Sequence, residues 1–295
     1  MNHILEDLIR LLDLERLEDN LFRGASRDLG GKSVFGGQVA GQALAAAART
    51  VEDRQPHSMH GYFLRAGDMT APIVYEVDRV RDGRHFSARR VQAIQFGRPI
   101  FTMIASFQQP EGGLEHQLPM PEVPPPEALQ DQRELRRQWL ARYRQPLPDR
   151  LRAAFLRELA IEFRPVQPWN PLAPEAGPPR QQIWMRAAGR LPDDPLLHRC
   201  VMAYASDFSL LSTALIPHAK SFLHPDMMVA SIDHGLWFHQ YGRADDWLLY
   251  AMDSPGAQGA RGFSRGLIYS RDGRLLASVA QENLMRQVAG VSVGA

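Results

Sequence analysis

Two stretches of this chain, far apart in sequence, read as copies of one another. The first runs His57-Ser58-Met59-His60-Gly61-Tyr62-Phe63-Leu64, then a Tyr-containing strand ending at Asp78, then Phe86-Ser87 and a Gly97-Arg98 turn. The second runs Ser231-Ile232-Asp233-His234-Gly235-Leu236-Trp237-Phe238, then a strand through Tyr250 to Asp253, then Phe263-Ser264 and a Gly273-Arg274 turn. His60 and His234 are 174 residues apart and Gly97 and Gly273 are 176 apart, so the offset barely drifts across the unit. A duplicated unit restricts the chain to folds in which one module is built twice.

The 295 residues are long for one compact domain and comfortable for two. With 44% hydrophobic and 23% charged residues, the composition is that of a globular protein. Lys and Arg total 34 against 33 Asp and Glu, a net charge of +1, which argues against a duplex nucleic-acid binder. Cys200 is the only cysteine, which excludes an internal disulfide framework and a cysteine-rich zinc site and points to a reducing compartment. Acids such as Glu6, Asp7 and Asp13 interrupt the segment from Met1 to Phe22, so it has no signal-peptide core. Ile4, Leu5, Leu8, Leu11 and Leu12 instead recur at helical spacing, the pattern of an amphipathic helix lying on the body. No run is read as reaching the ~20 apolar residues of a membrane span, and Ser292 to Ala295 carry no peroxisomal tripeptide. The expected location is the cytoplasm, with neither membrane nor nucleic acid as partner.

Each unit is expected to contain one helix and a run of strands. In the first, Val34-Phe35-Gly36-Gly37 leads into a helix from Gln38 to Thr50 that is rich in alanine, small-sided enough for a sheet to wrap closely. Strands follow over His57 to Leu64, Ile73 to Val80, His85 to Gln95 and Pro99 to Gln108. In the last, Phe101, Met103, Ala105 and Phe107 alternate with polar residues, the half-buried antiparallel pattern. The second unit opens with a strand near Gln182 to Ala187 and a helix from about Asp194 to Leu215, broken at Ser206-Asp207. Its strands are Met228 to His239, Trp247 to Asp253, Gly262 to Arg271 and Arg274 to Met285. Between the units, Pro110 to Pro179 holds 14 of the 22 prolines around a charged helical stretch near Gln130 to Phe163. The expected divisions are residues 1–110, a Pro-rich linker with a helix at 111–180, and residues 181–295.

One long helix wrapped by an antiparallel sheet, made twice, is an α+β architecture that resembles a double hotdog. The resemblance becomes specific at Val34-Phe35-Gly36-Gly37-Gln38, Phe63-Leu64-Arg65-Ala66-Gly67-Asp68, Ser206-Asp207-Phe208 and Ile232-Asp233-His234-Gly235-Leu236-Trp237-Phe238-His239. Together these are similar to the acyl-CoA thioesterase II family, the TesB type, from the N-terminal helix to Met285. The resemblance implies hydrolysis of acyl-CoA to a fatty acid and coenzyme A, with no metal or other cofactor. Two other readings stay open, a hotdog hydratase acting on enoyl-CoA and a non-catalytic acyl-CoA-binding module. Further association through hotdog sheets is an expectation by analogy.

Asp207 interrupts an apolar helical stretch, where a carboxylate is costly to bury alone. An Asp after a Ser can simply cap a helix. The resemblance implies more, that Asp207 orients and deprotonates the attacking water, with Ser231 and Gln281 as its companions. A hydroxyl and a neutral amide supply only hydrogen bonds, so those two would hold the water, unless they are ordinary strand residues. The family pattern has threonine where this chain has Ser231, which keeps the hydroxyl and loses the methyl that fixes its rotamer. Gln281 matches the pattern directly. The tetrahedral oxyanion would take backbone donors from the helix break near Asp207.

His57 aligns with Ser231 between the two copies and is the second candidate base, or a strand histidine satisfied by a neighbour. His60 and His234 read as paired structural residues of the duplicated strand. Strand alternation sends His234 and His239 to opposite faces, so with Asp233 they do not make a metal site. Gly262-Phe263-Ser264-Arg265-Gly266 fits the nucleophile-elbow pattern of α/β-hydrolases, but no histidine follows His239 and no helix follows Ser264, so Ser264 reads as a sheet residue. Candidate cations for the coenzyme phosphates are Lys32, Arg65, Arg84, Arg89, Arg90, Arg261 and Arg265. Val34, Phe35, Leu210, Leu236 and Trp237 are candidate walls of an acyl tunnel. The expected substrate-binding set is Val34, Phe35, Gly36, His57, Arg65 and Arg265.

Overall fold

The structure is a computed structural model and describes residues 3–288; the tail from Ser292 to Ala295 lies outside the described residues. The first half contains α1 (His3–Leu12), β1 (Glu15–Glu18), β2 (Leu21–Gly24), α2 (Gly36–Ala48), β3 (Gln55–Phe63), β4 (Ile73–Asp82), β5 (Phe86–Gln95) and β6 (Arg98–Gln108). A connecting region carries α3 (Gln132–Arg142) and α4 (Asp149–Leu156). Then come β7 (Ile161–Pro165), β8 (Arg180–Ala187), α5 (Pro195–Ser206), α6 (Leu210–Leu215), β9 (Met227–Ser231), β10 (Asp233–Phe238), β11 (Leu248–Gln258), β12 (Arg261–Ser270) and β13 (Leu275–Gln287).

All these strands join one antiparallel sheet in the order β1-β2-β4-β5-β6-β3-β10-β13-β12-β11-β8-β7, with β9 paired to β13. The order is a mirror about the β3–β10 seam, where Gly61 opposes His234 and His60 opposes Gly235. The duplicated segments of the sequence are therefore neighbours across a pseudo-two-fold axis. Gly97 and Gly273, the matched turn residues, both take the left-handed conformation, with φ of 70° and 88°. This is the double hotdog that the sequence resembles.

Inside the curved sheet lie α2 and α5. Ala40, Ala43, Leu44, Ala46 and Ala47 of α2 are fully buried, as are Val201 and Ala203 of α5. The helices cross closely because Gly41 has no side chain: a Cβ there would stand 3.1 Å from the Cys200 carbonyl oxygen. Along β13, Leu276, Ala277, Val279, Gln281 and Asn283 are buried while Ser278 and Glu282 are half-buried. Leu5, Leu8, Leu11 and Leu12 of α1 are buried against this core, as their spacing predicts.

Three features depart from the sequence reading. The charged helical stretch expected over 130–163 is two short helices followed by β7, whose Ile161, Phe163 and Pro165 face inward. With β8 it forms a hairpin that mirrors β1–β2, so each unit opens with a hairpin before its helix. Pro165 is tolerated because β7 is an edge strand. The strand expected from Met228 to His239 is divided at Ile232 into β9 and β10. Finally, Pro195–His218 spans 24 residues and contains an 18-residue stretch of mean hydropathy 1.3, long and apolar enough by composition to cross a membrane. It is interrupted by Asp207, and 67% of its apolar window is buried within the fold, the signature of a core helix.

Candidate active site

Asp207 ends α5. Phe208 N–H turns back to the Ala205 carbonyl, and Ser209 follows in the left-handed region at φ 72° before α6 begins. The Gln181 amide clamps the turn by donating to the Ser209 carbonyl and to the hydroxyls of Ser212 and Thr213. Tyr250, fully buried, donates its hydroxyl to the Ser206 carbonyl at 2.8 Å. Burial, together with the nearby Asp207 charge, pushes this phenol well above its ordinary value. The break that interrupts the apolar helix is thus held from several sides.

The Asp207 carboxylate is nearly buried, and its Oδ2 accepts from the Gly37 N–H at 2.8 Å. Gly37 lies in the first turn of α2, whose N-cap is Phe35, a residue that supplies no side-chain acceptor. Asp207 takes that place from the other half of the chain, where the positive end of the helix dipole favours a carboxylate. Two glycines make this approach possible. A Cβ at Gly36 would sit 2.8 Å from Asp207 Oδ2, and one at Gly37 would collide with the Tyr204 carbonyl oxygen.

Oδ1 of Asp207 faces Ser231, whose Oγ donates to it at 3.4 Å. Gln281 Nε2 donates to Ser231 Oγ at 2.9 Å. The division between β9 and β10 places Ser231 here: Ile232 N–H pairs with the Glu282 carbonyl, while Glu282 N–H is taken by the Asp233 side chain at 2.6 Å. This irregularity resets the alternation, so Ser231 joins Gln281 and Asn283 on the inner side. Asp207, Ser231 and Gln281, three residues singled out in the sequence, form one cluster.

Gln281 is anchored in turn. Its Oε1 is 2.6 Å from His234 Nδ1, and its Nε2 also donates to Asn283 Oδ1 at 2.7 Å. His234 Nε2 lies 2.8 Å from Ser206 Oγ. His234 and Asn283 are completely buried. His60, read as the structural twin of His234, is instead exposed and pairs with Asp233 at 2.9 Å. Sequence reading missed His234 because the contact that distinguishes it, 47 residues away in sequence, leaves no local pattern.

The remaining candidates divide. Val34 is buried, and Phe35 packs its ring on Phe208 (4.4 Å between centroids) and Tyr204 (5.3 Å), which with Phe163 walls one side of the cluster in aromatic carbon. Gly36 lies close to the carboxylate, where an added Cβ would stand 2.8 Å from Asp207 Oδ2. Leu210 and Leu236 are buried. Trp237 points the other way, 42% exposed on the outer face of the sheet, so it is no tunnel wall. His57 is not joined to the Asp207 cluster: its Nε2 lies 2.8 Å from Ser106 Oγ and its ring meets Phe86, with burial holding the imidazole below its ordinary value. His239 pairs with Ser278, so His234 and His239 do stand on opposite faces; among the described residues no group of three metal-ligating side chains gathers.

Arg89 is lost to phosphate binding, since it is buried and spends its guanidinium on Thr50, Asp82 and the Arg81 and Ala88 carbonyls. Arg90, Arg261 and Arg265 are outward-facing and paired with Asp78, Glu282 and Asp253. Arg65 is exposed, donating to the Pro99 carbonyl at 2.7 Å, and its loop meets the α2 entry where Val34 N–H bonds the Gly67 carbonyl. The expected donors at the α5 break are also displaced, because Phe208 N–H is already used and the amide aimed at the carboxylate comes from α2. Ser264 is buried and donates to the Leu210 carbonyl. The glycines of its G-x-S-x-G pattern have packing reasons, since side chains at Gly262 and Gly266 would strike Met285 and Tyr250. A groove of about 700 Å³ bordered by α3, β7 and β8 touches none of the cluster.

Comparison with known proteins shows the family to which the chain belongs. Family models described as acyl-CoA thioesterase and as acyl-CoA thioesterase N-terminal domain match residues 151–284 and 25–108. The chain is 45% identical to acyl-CoA thioesterase 2 of Haemophilus influenzae, covering 97% of this chain and 99% of that protein. It is 44% identical to human acyl-coenzyme A thioesterase 8, over 96% and 89% of the two chains. The crystal structure of acyl-CoA thioesterase II TesB2 from Mycobacterium marinum aligns with a TM-score of 0.78 at 42% identity, over 96% of this chain and 99% of that one. With matching models in both halves and relatives this similar from end to end, the chain belongs to the TesB-type acyl-CoA thioesterase family.

Proposed function

We propose that the protein hydrolyses acyl-CoA to a free fatty acid and coenzyme A, with Asp207 as general base toward a water that Ser231 and Gln281 hold. The observation that carries the mechanism is the placing of Oδ1: Asp207 Oδ2 is committed to Gly37 N–H, which leaves Oδ1 beside the Ser231 hydroxyl, itself held by the Gln281 amide. The water oxygen attacks the thioester carbonyl carbon while its proton passes to Asp207. The oxyanion formed is favoured by the positive N-terminal end of α2. When it collapses, the C–S bond breaks and coenzyme A leaves as a thiolate, a good leaving group because its conjugate acid is near the ~8.5 of a free thiol. That thiolate takes up a proton as the site resets, and no covalent enzyme intermediate is needed.

Phe35, Phe208 and Phe163 would line the acyl end, and Lys32 and Arg65, which flank the entry to α2, would meet the coenzyme phosphates. A second copy would dock on the outer face of the seam. There Ile104 and Tyr62 are half exposed beside His60, and the Trp237 ring lies over Gly235 toward the same histidine. The same proposal sets the protein in the cytoplasm, in keeping with a single cysteine whose thiol burial pushes up to about 12, far from any redox role.

The test is release of free thiol from acyl-CoA of short, medium and long chains, with Asp207→Asn as control. The unaltered enzyme should release thiol and the variant should lose roughly 10²–10⁴-fold in kcat. Consumption of enoyl-CoA without thiol would make the protein a hydratase, and binding without either reaction would make it a carrier.

A further inference from the structure

The hydrogen bonds around Gln281 form a loop that starts and ends at two adjacent residues. Ser206 Oγ meets His234 Nε2 at 2.8 Å, His234 Nδ1 meets Gln281 Oε1 at 2.6 Å, Gln281 Nε2 donates to Ser231 Oγ, and Ser231 faces Asp207, the residue after Ser206. Apart from Ser231 and Asp207, the members are buried to within 1%. The chemistry of the partners gives the loop a direction. The Gly262 carbonyl can only accept, so Asn283 turns its Nδ2 to it and its Oδ1 to Gln281. Asn283 Oδ1 can only accept, so the Gln281 end that faces it, and that faces Ser231, is the nitrogen. Oε1 therefore faces His234, and because an amide oxygen cannot donate, the proton must sit on His234 Nδ1. On the neutral ring Nε2 then accepts from the Ser206 hydroxyl, which gives up the Ala203 carbonyl to donate to it. Every donor in the loop points toward Asp207.

The reversed arrangement keeps the other bonds and loses one, because it turns the Gln281 oxygen onto Asn283 Oδ1. With the proton on Nε2, His234 would donate to Ser206, whose hydroxyl would turn to the Ala203 carbonyl 3.0 Å away. Gln281 would then present oxygen to Ser231 and draw that hydroxyl away from the carboxylate. The direction of the loop is thus held from two sides, by Asn283 and by the imidazole.

We propose that His234, held as its Nδ1-protonated tautomer, is a positioning residue. Together with Asn283 it fixes which end of the Gln281 amide faces Ser231, and through Gln281 it aims the Ser231 hydroxyl at Asp207. This rests on the reading of Asp207, Ser231 and Gln281 as the hydrolytic cluster, and it touches no reacting atom itself. An asparagine at 234 can place an N–H near Nδ1, whereas a glutamine reaches the position of Nε2 instead.

The experiment measures kcat and KM for thiol release in His234→Asn, His234→Gln, Gln281→Ala and the double variant His234→Gln/Gln281→Ala. His234→Gln should lose roughly ten- to hundred-fold in kcat with KM little changed, the scale for removing the outer partner of a working group, and His234→Asn should recover most of it. In the Gln281→Ala background, His234→Gln should add almost nothing. Full additivity, or equal losses in the Asn and Gln variants, overturns the inference while leaving the cluster intact. Unchanged rates in Gln281→Ala and Asp207→Asn would instead remove the cluster reading beneath it. If the His234 variants do not fold, ¹⁵N-histidine NMR of the unaltered protein decides. The buried ring that shifts in Gln281→Ala should carry its proton on Nδ1, and a proton on Nε2 overturns the inference.

Discussion

Gly37 of α2 donates its amide to the Asp207 carboxylate across 170 residues of chain, at 2.8 Å. One oxygen of the proposed base is thereby fixed by the first half of the protein, and only the other is free to face Ser231. The geometry of hydrolysis accordingly depends on how closely α2 approaches the end of α5.

Gly36 sets that approach. Gly36→Ala places a methyl 2.8 Å from both Asp207 Oδ2 and the Phe63 ring, so the carboxylate must move. The expected result is a loss of roughly ten-fold or more in kcat, since small misplacements of a catalytic group are costly. Steady-state thiol release on folded variant checks this; a wild-type rate would mean that the carboxylate tolerates displacement.

Ser264 should be dispensable for catalysis. Ser264→Ala removes one hydrogen bond to the Leu210 carbonyl and should cost about 1 kcal/mol of stability with kcat unchanged. Denaturant melts and thiol release measured side by side would expose a serine-nucleophile mechanism as a collapse of rate.

At Ser231 the hydroxyl is what counts. Ser231→Ala should lower kcat roughly ten-fold or more, while Ser231→Thr, which keeps the hydroxyl and adds a methyl that narrows its rotamer, should keep the rate near that of the parent. Equal activity in all three proteins would take Ser231 out of the mechanism.

Stability should fall with acidification through Asp245. Burial pushes its carboxyl up, but the Arg243 hydrogen bond, the Leu191 N–H and the charges of Arg243 and Arg190 outweigh this and hold it below the ordinary carboxylate range. A depressed folded value contributes stability that is present above the unfolded value near 3.9 and is lost as pH falls through the folded value. Asp245→Asn should therefore melt several degrees lower, roughly, than the parent at neutral pH, with the gap closing below about pH 4. Melting curves across pH 3 to 8 test this, and a gap that stays constant would contradict it.

Much of this was legible in the sequence because it is written in local pattern. Alternation in β6, the alanines of α2 and the acid that breaks an apolar helix at Asp207 each follow from burial at a fixed period. The duplication placed His60 and His234 as counterparts, and they are neighbours across the seam. What escaped depends on departures from period or on distance. β1 is Glu-Arg-Leu-Glu, exposed throughout, and has no alternation to detect. β7 lies hidden among prolines and charges. Trp237 looked like a wall because hydrophobicity does not reveal which face of a strand carries it, and the interruption at Ile232 changes the register by which its face would be counted. Arg89 looked available because nothing local announces that Thr50 and Asp82 enclose it.

The seam between β3 and β10 carries an evolutionary consequence. A duplicated gene ordinarily leaves one copy free to drift, yet here the earlier copy supplies the amide that grips the later copy's acid. Severing the polypeptide between the halves would yield two fragments, neither able to assemble the chemistry alone. Mutations at Gly36 or Gly37 should consequently be purged as strictly as mutations at Asp207, although the first half contributes no proposed proton acceptor of its own.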